Sequence, residues 1–138
     1  MKMKPDHFEV DLHLHHPTLD PQLISEALSL EPWFSVKCGE QIGSVKHKKS
    51  SWLCHFQEGD LDSEFSSTLD DLASLLSLKE AFFSDFVEGG GDIEVLLNSA
   101  VQITGDKIFE LSLHPWFLQE IGKRSVGLRV CAWNARIE

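Results

Sequence analysis

Clustered positive charge is what this chain has least of. Twelve Lys and Arg stand against 22 Asp and Glu, for a formal net charge of −10 at pH 7. Neutralising phosphates takes grouped basic side chains, so nucleic acid and anionic membrane surfaces are not the expected partners. Cysteine is scarce as well. Cys38, Cys54 and Cys131 are odd in number, widely spaced and without a C-x-x-C pair, which argues against a zinc ribbon or a redox dithiol and for a reducing compartment. No apolar run approaches the ~20 residues of a transmembrane helix. The opening MKMKPDHFEV has positive charge but lacks the apolar stretch of a signal peptide. A cytoplasmic protein is expected.

What is present is ordinary for a globular chain. The 138 residues, 42% hydrophobic and 25% charged, suit one domain spanning residues 1–138. Folding a chain of this size buries roughly 68–70% of the surface its unfolded form exposes, enough for a real core.

From His7 to His15 the chain alternates strictly, with Phe8, Val10, Leu12 and Leu14 on one side and His7, Glu9, Asp11, His13 and His15 on the other. Period two predicts a strand with one buried face. Leu19-Asp20-Pro21 then reads as a helix start, Asp20 capping and Pro21 in the first position, with Leu23, Ile24, Ala27 and Leu28 at helical spacing and an end before Pro32. Residues 33–49 read as a long loop containing Gly39 and Gly43 and closing on the basic run Lys46–Lys49. A strand follows near 51–57, with Trp52, Cys54 and Phe56 facing one way and Leu53, His55 and Gln57 the other. Residues 60–87 are helical in pattern, with Ser77 and Glu80 as a capping box that restarts the helix. Residues 92–103 favour a strand, Thr104–Lys107 a turn, and 108–113 another strand. A short helix over 115–121, closed by Gly122, leads to a last strand over 126–133.

The order β-α-β, helical insert, β-β-α-β predicts an α+β fold: a two-layer sandwich with a mostly antiparallel sheet and helices on one face. "DPQLISEAL" at 20–28 aligns with "HPWFLQEIG" at 114–122, each following a strand that ends in Leu-His, which suggests an internal β-α-β duplication and a ferredoxin-like geometry.

Four groups of residues invite a chemical reading. Asp11-Leu12-His13-Leu14-His15 matches the opening of the metal-binding signature of the polymerase-and-histidinol-phosphatase hydrolases. Side chains at i and i+2 on a strand lie about 7 Å apart on one face, so His13 and His15 could share an ion. Those enzymes are longer barrels whose later strands supply further ligands, whereas His47, His55 and His114 form no comparable cluster here. No metal is expected in this segment, and a solvated strand face is the plainer account. His13, His15, His55 and Arg129 all alternate away from the apolar side of their strands, so neighbouring strands would gather them into a binding surface. An uncovered antiparallel face is polar in any case. Cys54-His55 cannot be a nucleophile and base, because neighbours on a strand point to opposite faces. Gly89-Gly90-Gly91 run from helix to strand, the wrong polarity for a phosphate loop.

A first strand leading to "LDPQLISEALSLEP", Gly39-Glu40, a basic stretch, a strand with Trp52, a helical middle and the late "HPWFLQEIGKRSVGLRVCAW" together resemble the bacterial family named domain of unknown function 4279. That resemblance implies a one-domain bacterial protein and transfers no catalytic residue. Within it, the loop around Gly39-Glu40 with Trp52 is the functional candidate. The structural alternative is that Gly39 supplies a turn and Trp52 fills the core. No cofactor is implied.

The function expected from all this is non-enzymatic binding or regulation, with a basic protein partner such as a toxin that the acidic chain would neutralise. The acids Glu58, Asp60, Asp62, Glu64, Asp70 and Asp71 would steer such a partner, or simply keep the chain soluble. The alternative is a small-ligand or metal-dependent enzyme working on the histidine face.

Overall fold

The computed structural model describes residues 6–101 and 110–134. The chain opens with strand β1 (His7–His16), helix α1 (Pro21–Leu28), β2 (Phe34–Val36) and the short strands β3 (Gln41–Ile42) and β4 (Val45–Lys46). Strand β5 (Ser50–Asp60), helices α2 (Phe65–Leu78) and α3 (Glu80–Glu88), strand β6 (Asp92–Val101), helix α4 (Pro115–Lys123) and strand β7 (Gly127–Asn134) complete it. Five strands form one sheet in the order β2-β5-β1-β6-β7, and β3 pairs with β4 apart from it. Every neighbouring pair in the large sheet is antiparallel except β6 and β7, which run parallel.

The alternation of β1 dictates the layers. Phe8, Val10, Leu12 and Leu14 are completely buried, and Trp52, Cys54, Ile93, Val95 and Leu97 from the flanking strands join them. All four helices close over this side: Ile24 and Leu28 of α1, Leu69, Leu72 and Leu76 of α2, Phe83 and Phe86 of α3, and Phe117 and Ile121 of α4 belong to the same cluster. Burying each such side chain stabilises by roughly 1.5–3 kcal/mol. The α+β architecture with helices on one face is therefore as the sequence indicates. The ferredoxin-like geometry and the duplication are not confirmed. β1 is followed in the chain by an antiparallel sheet neighbour, β5, across the α1 connection, while β6 is followed by a parallel one across α4, so the two aligned segments do not make the same crossover.

Local chemistry explains most boundaries. The Asp20 carboxylate accepts from the N–H of Gln22 at 3.0 Å, Pro21 opens α1, and Ser29 ends it in the left-handed region at φ 55°. The break between α2 and α3 falls at Lys79, whose N–H returns to the carbonyl of Leu75 and which makes no side-chain cap. Ser77 is still helical, so the expected capping box does not form. After α3, Gly90 sits at φ +95°, and a Cβ on Gly91 would lie 2.4 Å from the Phe86 ring, so glycine is needed at both places.

Three expectations are corrected. Residues 33–49 are not one loop: β2 pairs with β5, and Ile42-Gly43-Ser44-Val45 makes a tight hairpin with Gly43 at φ +60° in its first central position. Gly122 lies inside α4, which runs on to Lys123. Of the strand expected at 108–113, residues 108 and 109 and the turn at 104–107 lie outside the described residues, and 110–113 are not a strand. No helix among the described residues is long and apolar enough to cross a membrane.

Two buried polar contacts lock the helices to the rest. The Trp52 indole N–H donates to the Ser25 hydroxyl at 3.0 Å, pinning α1 to β5. Arg124, 8% exposed, binds the Glu120 carboxylate at 2.5 Å and the Glu120 carbonyl at 2.9 Å, and reaches Glu80 of α3 at 3.3 Å. Its hydrogen bond holds the Glu120 carboxyl below the usual glutamate range, against the opposing effect of burial.

Each contact has a measurable consequence. Ser25→Ala leaves a buried indole N–H unpaired and should lower unfolding free energy by about 1–3 kcal/mol, with an unchanged slope in urea. A change below about 0.5 kcal/mol would place it among neutral surface substitutions and remove the bond's importance. For Glu120 the folded-state pKa lies below the unfolded value. Its contribution is therefore complete above roughly pH 4.3 and lost as pH falls through the folded value. Glu120→Gln should be less stable at pH 7 and show a shallower loss of stability on acidification. An acid limb identical to that of the unmodified chain would contradict the assignment.

Candidate functional site

The face of the sheet turned away from the helices carries the side chains that can act on a ligand. On β1 it presents His7, Glu9, Asp11, His13 and His15, all half-buried as expected on a central strand. Register assigns their neighbours. His13 lies between Leu53 of β5 and Glu94 of β6, and His15 between Ser51 and Asp92. Asp11 lies between His55 and Leu96, and Leu96 is paired in turn with Arg129 of β7. The histidines and arginine singled out in the sequence thus share one face.

His13, His15, Asp92, Glu94 and Arg129 line a groove of about 530 Å³, floored by Gly127 where β7 has no side chain. Arg129 reaches Glu94 at 3.4 Å, and the His15 Nδ1 lies 2.8 Å from the Ser51 hydroxyl. Burial holds the pKa of both His13 and His15 below the ordinary histidine value, outweighing the nearby carboxylates. Neither imidazole therefore offsets the acids of this face near neutral pH.

Beside the groove, β5 carries an irregularity that reorganises the face. Val10 pairs with Gln57, but the next residue, Asp11, pairs with His55, so Phe56 is an extra residue in a β-bulge. Strict alternation would put Gln57 on the histidine side. It is instead on the helix side, where its side chain donates to Asp71 at 3.0 Å and accepts from Thr68 at 2.7 Å. Phe56 packs partly buried against the core. The step moves Glu58 onto the same face as His55, a placement that unbroken alternation forbids for residues three apart. Glu58 lies 3.4 Å from His7 and 3.7 Å from the Nε2 of His55, whose Nδ1 is 2.9 Å from Asp11. Ligand atoms of Glu9, Asp11 and His55 all lie within 4.8 Å of one another. Sequence reasoning along one strand missed Glu9 and Asp11 as neighbours of His55, because strand pairing sets that, and missed Glu58, because only the shifted register brings it to this face.

The other candidates are placed elsewhere. Gly39, at φ +91°, takes the third position of a turn closed by the Glu40 N–H on the Lys37 carbonyl, and Glu40 is exposed. Trp52 is fully buried in the core and not on the polar face. Cys54 is buried too, its thiol pushed up to about 11 by desolvation, which leaves it a poor nucleophile.

One further set was not legible in the sequence. The His114 Nε2 meets the Ser66 hydroxyl at 2.5 Å, and its Nδ1 meets Asp70 at 2.9 Å. That is the connectivity of a serine-hydrolase triad, whose carboxylate is buried. The Asp70 side chain is 50% exposed, and the set acts as a clamp holding the start of α4 to α2.

No curated protein and no solved structure matches the chain significantly. One family model does, described as Domain of unknown function (DUF4279), over residues 6–135. The matched span takes in the whole five-stranded sheet, the bulge and the polar face, and the chain belongs to this family.

Proposed function

We propose that this chain is a binding or regulatory domain that takes a basic segment of a protein partner on its open sheet face. One observation carries the reading. Glu9, Asp11, Glu58, Asp60, Asp92 and Glu94 project from β1, β5 and β6 onto that face, and Arg129 is the only Lys or Arg on the described strands of the five-stranded sheet. A surface of one sign raises encounter rates with the opposite sign, and a lysine or arginine of the partner fits the groove between Asp92 and Glu94. A binding role is favoured over catalysis by the openness of the face, because acid–base and nucleophilic chemistry gain from a site closed to water. A cytoplasmic toxin with a basic surface is the kind of partner this reading names.

Of the six acids noted in the sequence, Glu58 and Asp60 are on this face, while Asp70 and Asp71 lie on α2, engaged with His114 and Gln57. The face, more than the acidic segment as a whole, should then govern recognition. A fluorescent arginine-rich peptide should associate with the protein at a rate that falls on adding salt. Asp92→Lys with Glu94→Lys should slow it by about tenfold, and Asp62→Lys with Glu64→Lys by much less. Equal effects of the two pairs, or equally fast association of a glutamate-rich peptide, would overturn the proposal.

A further inference from the structure

The groove is one end of the polar face; the bulge has built something different at the other. Glu9 and Asp11 from β1 and His55 from β5 point their ligand atoms into a common space within 4.8 Å. Glu9 stands directly opposite Glu58, an arrangement of like charges that destabilises a sheet unless something offsets it. Among the described residues, the cationic side chains within ion-pair distance of Asp11 and Glu58 are histidines, and Glu9 has none. Three carboxylates and two imidazoles converge where, among the described residues, no lysine or arginine forms an ion pair.

We propose that Glu9, Asp11 and His55 form a binding site for a divalent transition-metal ion of the zinc class. Two carboxylates balance the charge of such an ion, and an imidazole nitrogen selects it over calcium or magnesium, which favour oxygen alone. Bonds of about 2.0–2.2 Å set ligand atoms roughly 3.3 Å apart around a tetrahedral ion. The 2.9 Å from His55 to Asp11 is already close to this, and the exposed side of the cluster lets Glu9 swing inward. His55 has a carboxylate at each ring nitrogen. With Nδ1 facing the ion beside Asp11, Glu58, 3.7 Å from Nε2, is the carboxylate that would close on the Nε2 proton and orient the ring, the usual role of a carboxylate behind a metal-bound histidine. Water fills the remaining position.

This site differs from the one considered along β1. His13 and His15 belong to the groove and contribute no ligand, whereas His55 of β5, paired directly with Asp11, supplies the nitrogen. The inference does not rest on the partner reading, since it needs only the cross-strand cluster.

The test is titration of zinc chloride into the untagged, chelator-treated full chain, followed by calorimetry and by thermal unfolding. One equivalent should bind saturably and raise the unfolding temperature. Glu9→Gln, at a half-buried position, and His55→Ala, at an exposed one, should each weaken binding at least a hundredfold and abolish the thermal shift. Glu58→Gln should weaken it less than either, by about tenfold, as loss of an orienting group does. His13→Ala with His15→Ala should bind as the unmodified chain does. Absence of saturable binding, binding that survives both Glu9→Gln and His55→Ala, or binding lost with His13 and His15 would each overturn the site.

Discussion

β1 is hydrogen-bonded along both edges, to β5 and to β6, so its alternation sorts the side chains of three strands at once. Every second residue is apolar and completely buried under four helices, and a slip of one residue would drive histidines and carboxylates into that core. The register is therefore held by the whole hydrophobic layer. The polar face inherits that precision without contributing to it: side chains that make little stability of their own are fixed in mutual position by the packing behind them.

That division explains how the face can tolerate an unfavourable arrangement. Six carboxylates sit on one side of three neighbouring strands, two of them, Glu9 and Glu58, directly opposite. Repulsion of this kind costs fractions of a kcal/mol to about 1 kcal/mol per pair, small beside the burial of Phe8, Val10, Leu12 and Leu14. A binding surface can carry the charge its ligand requires only if stability comes from elsewhere. The proposed basic segment and the proposed divalent ion would be two answers to the same excess of negative charge, one at the Asp92–Glu94 groove and one at the bulge. An ion at Glu9 and Asp11 would lower the charge seen by the basic segment, coupling the two through the field of the face.

Much of the scaffold was legible because its signals are local. The alternation of β1 and the Asp20-Pro21 start of α1 are read from adjacent residues, and both are where the sequence puts them. What stayed hidden depends on partners distant in the chain. β2 has three residues, and β3 and β4 two each, too few for periodicity to register. The apolar alternation of Trp52, Cys54 and Phe56 runs straight through the bulge, since Phe56 reaches the core from its extra position, and only pairing with Val10 and Asp11 exposes the step. Ser66 and Asp70 are spaced one helical turn apart, but His114 is 48 and 44 residues away from them. The histidine face was visible as residue types. Its carboxylates were also visible, but which of them face His55 is a fact of register.

The bulge is the claim on which the arrangement of the face turns, and cross-strand nuclear Overhauser contacts in the isotope-labelled protein measure it directly. With the bulge, backbone protons of Asp11 should contact His55 and those of Val10 should contact Gln57, with side-chain contacts between His55 and Glu58 and between Gln57 and Thr68. A regular ladder, in which Val10 meets Phe56 and the Gln57 side chain stands beside Glu9 and Asp11, would contradict the account and take Glu58 off the face that carries His55.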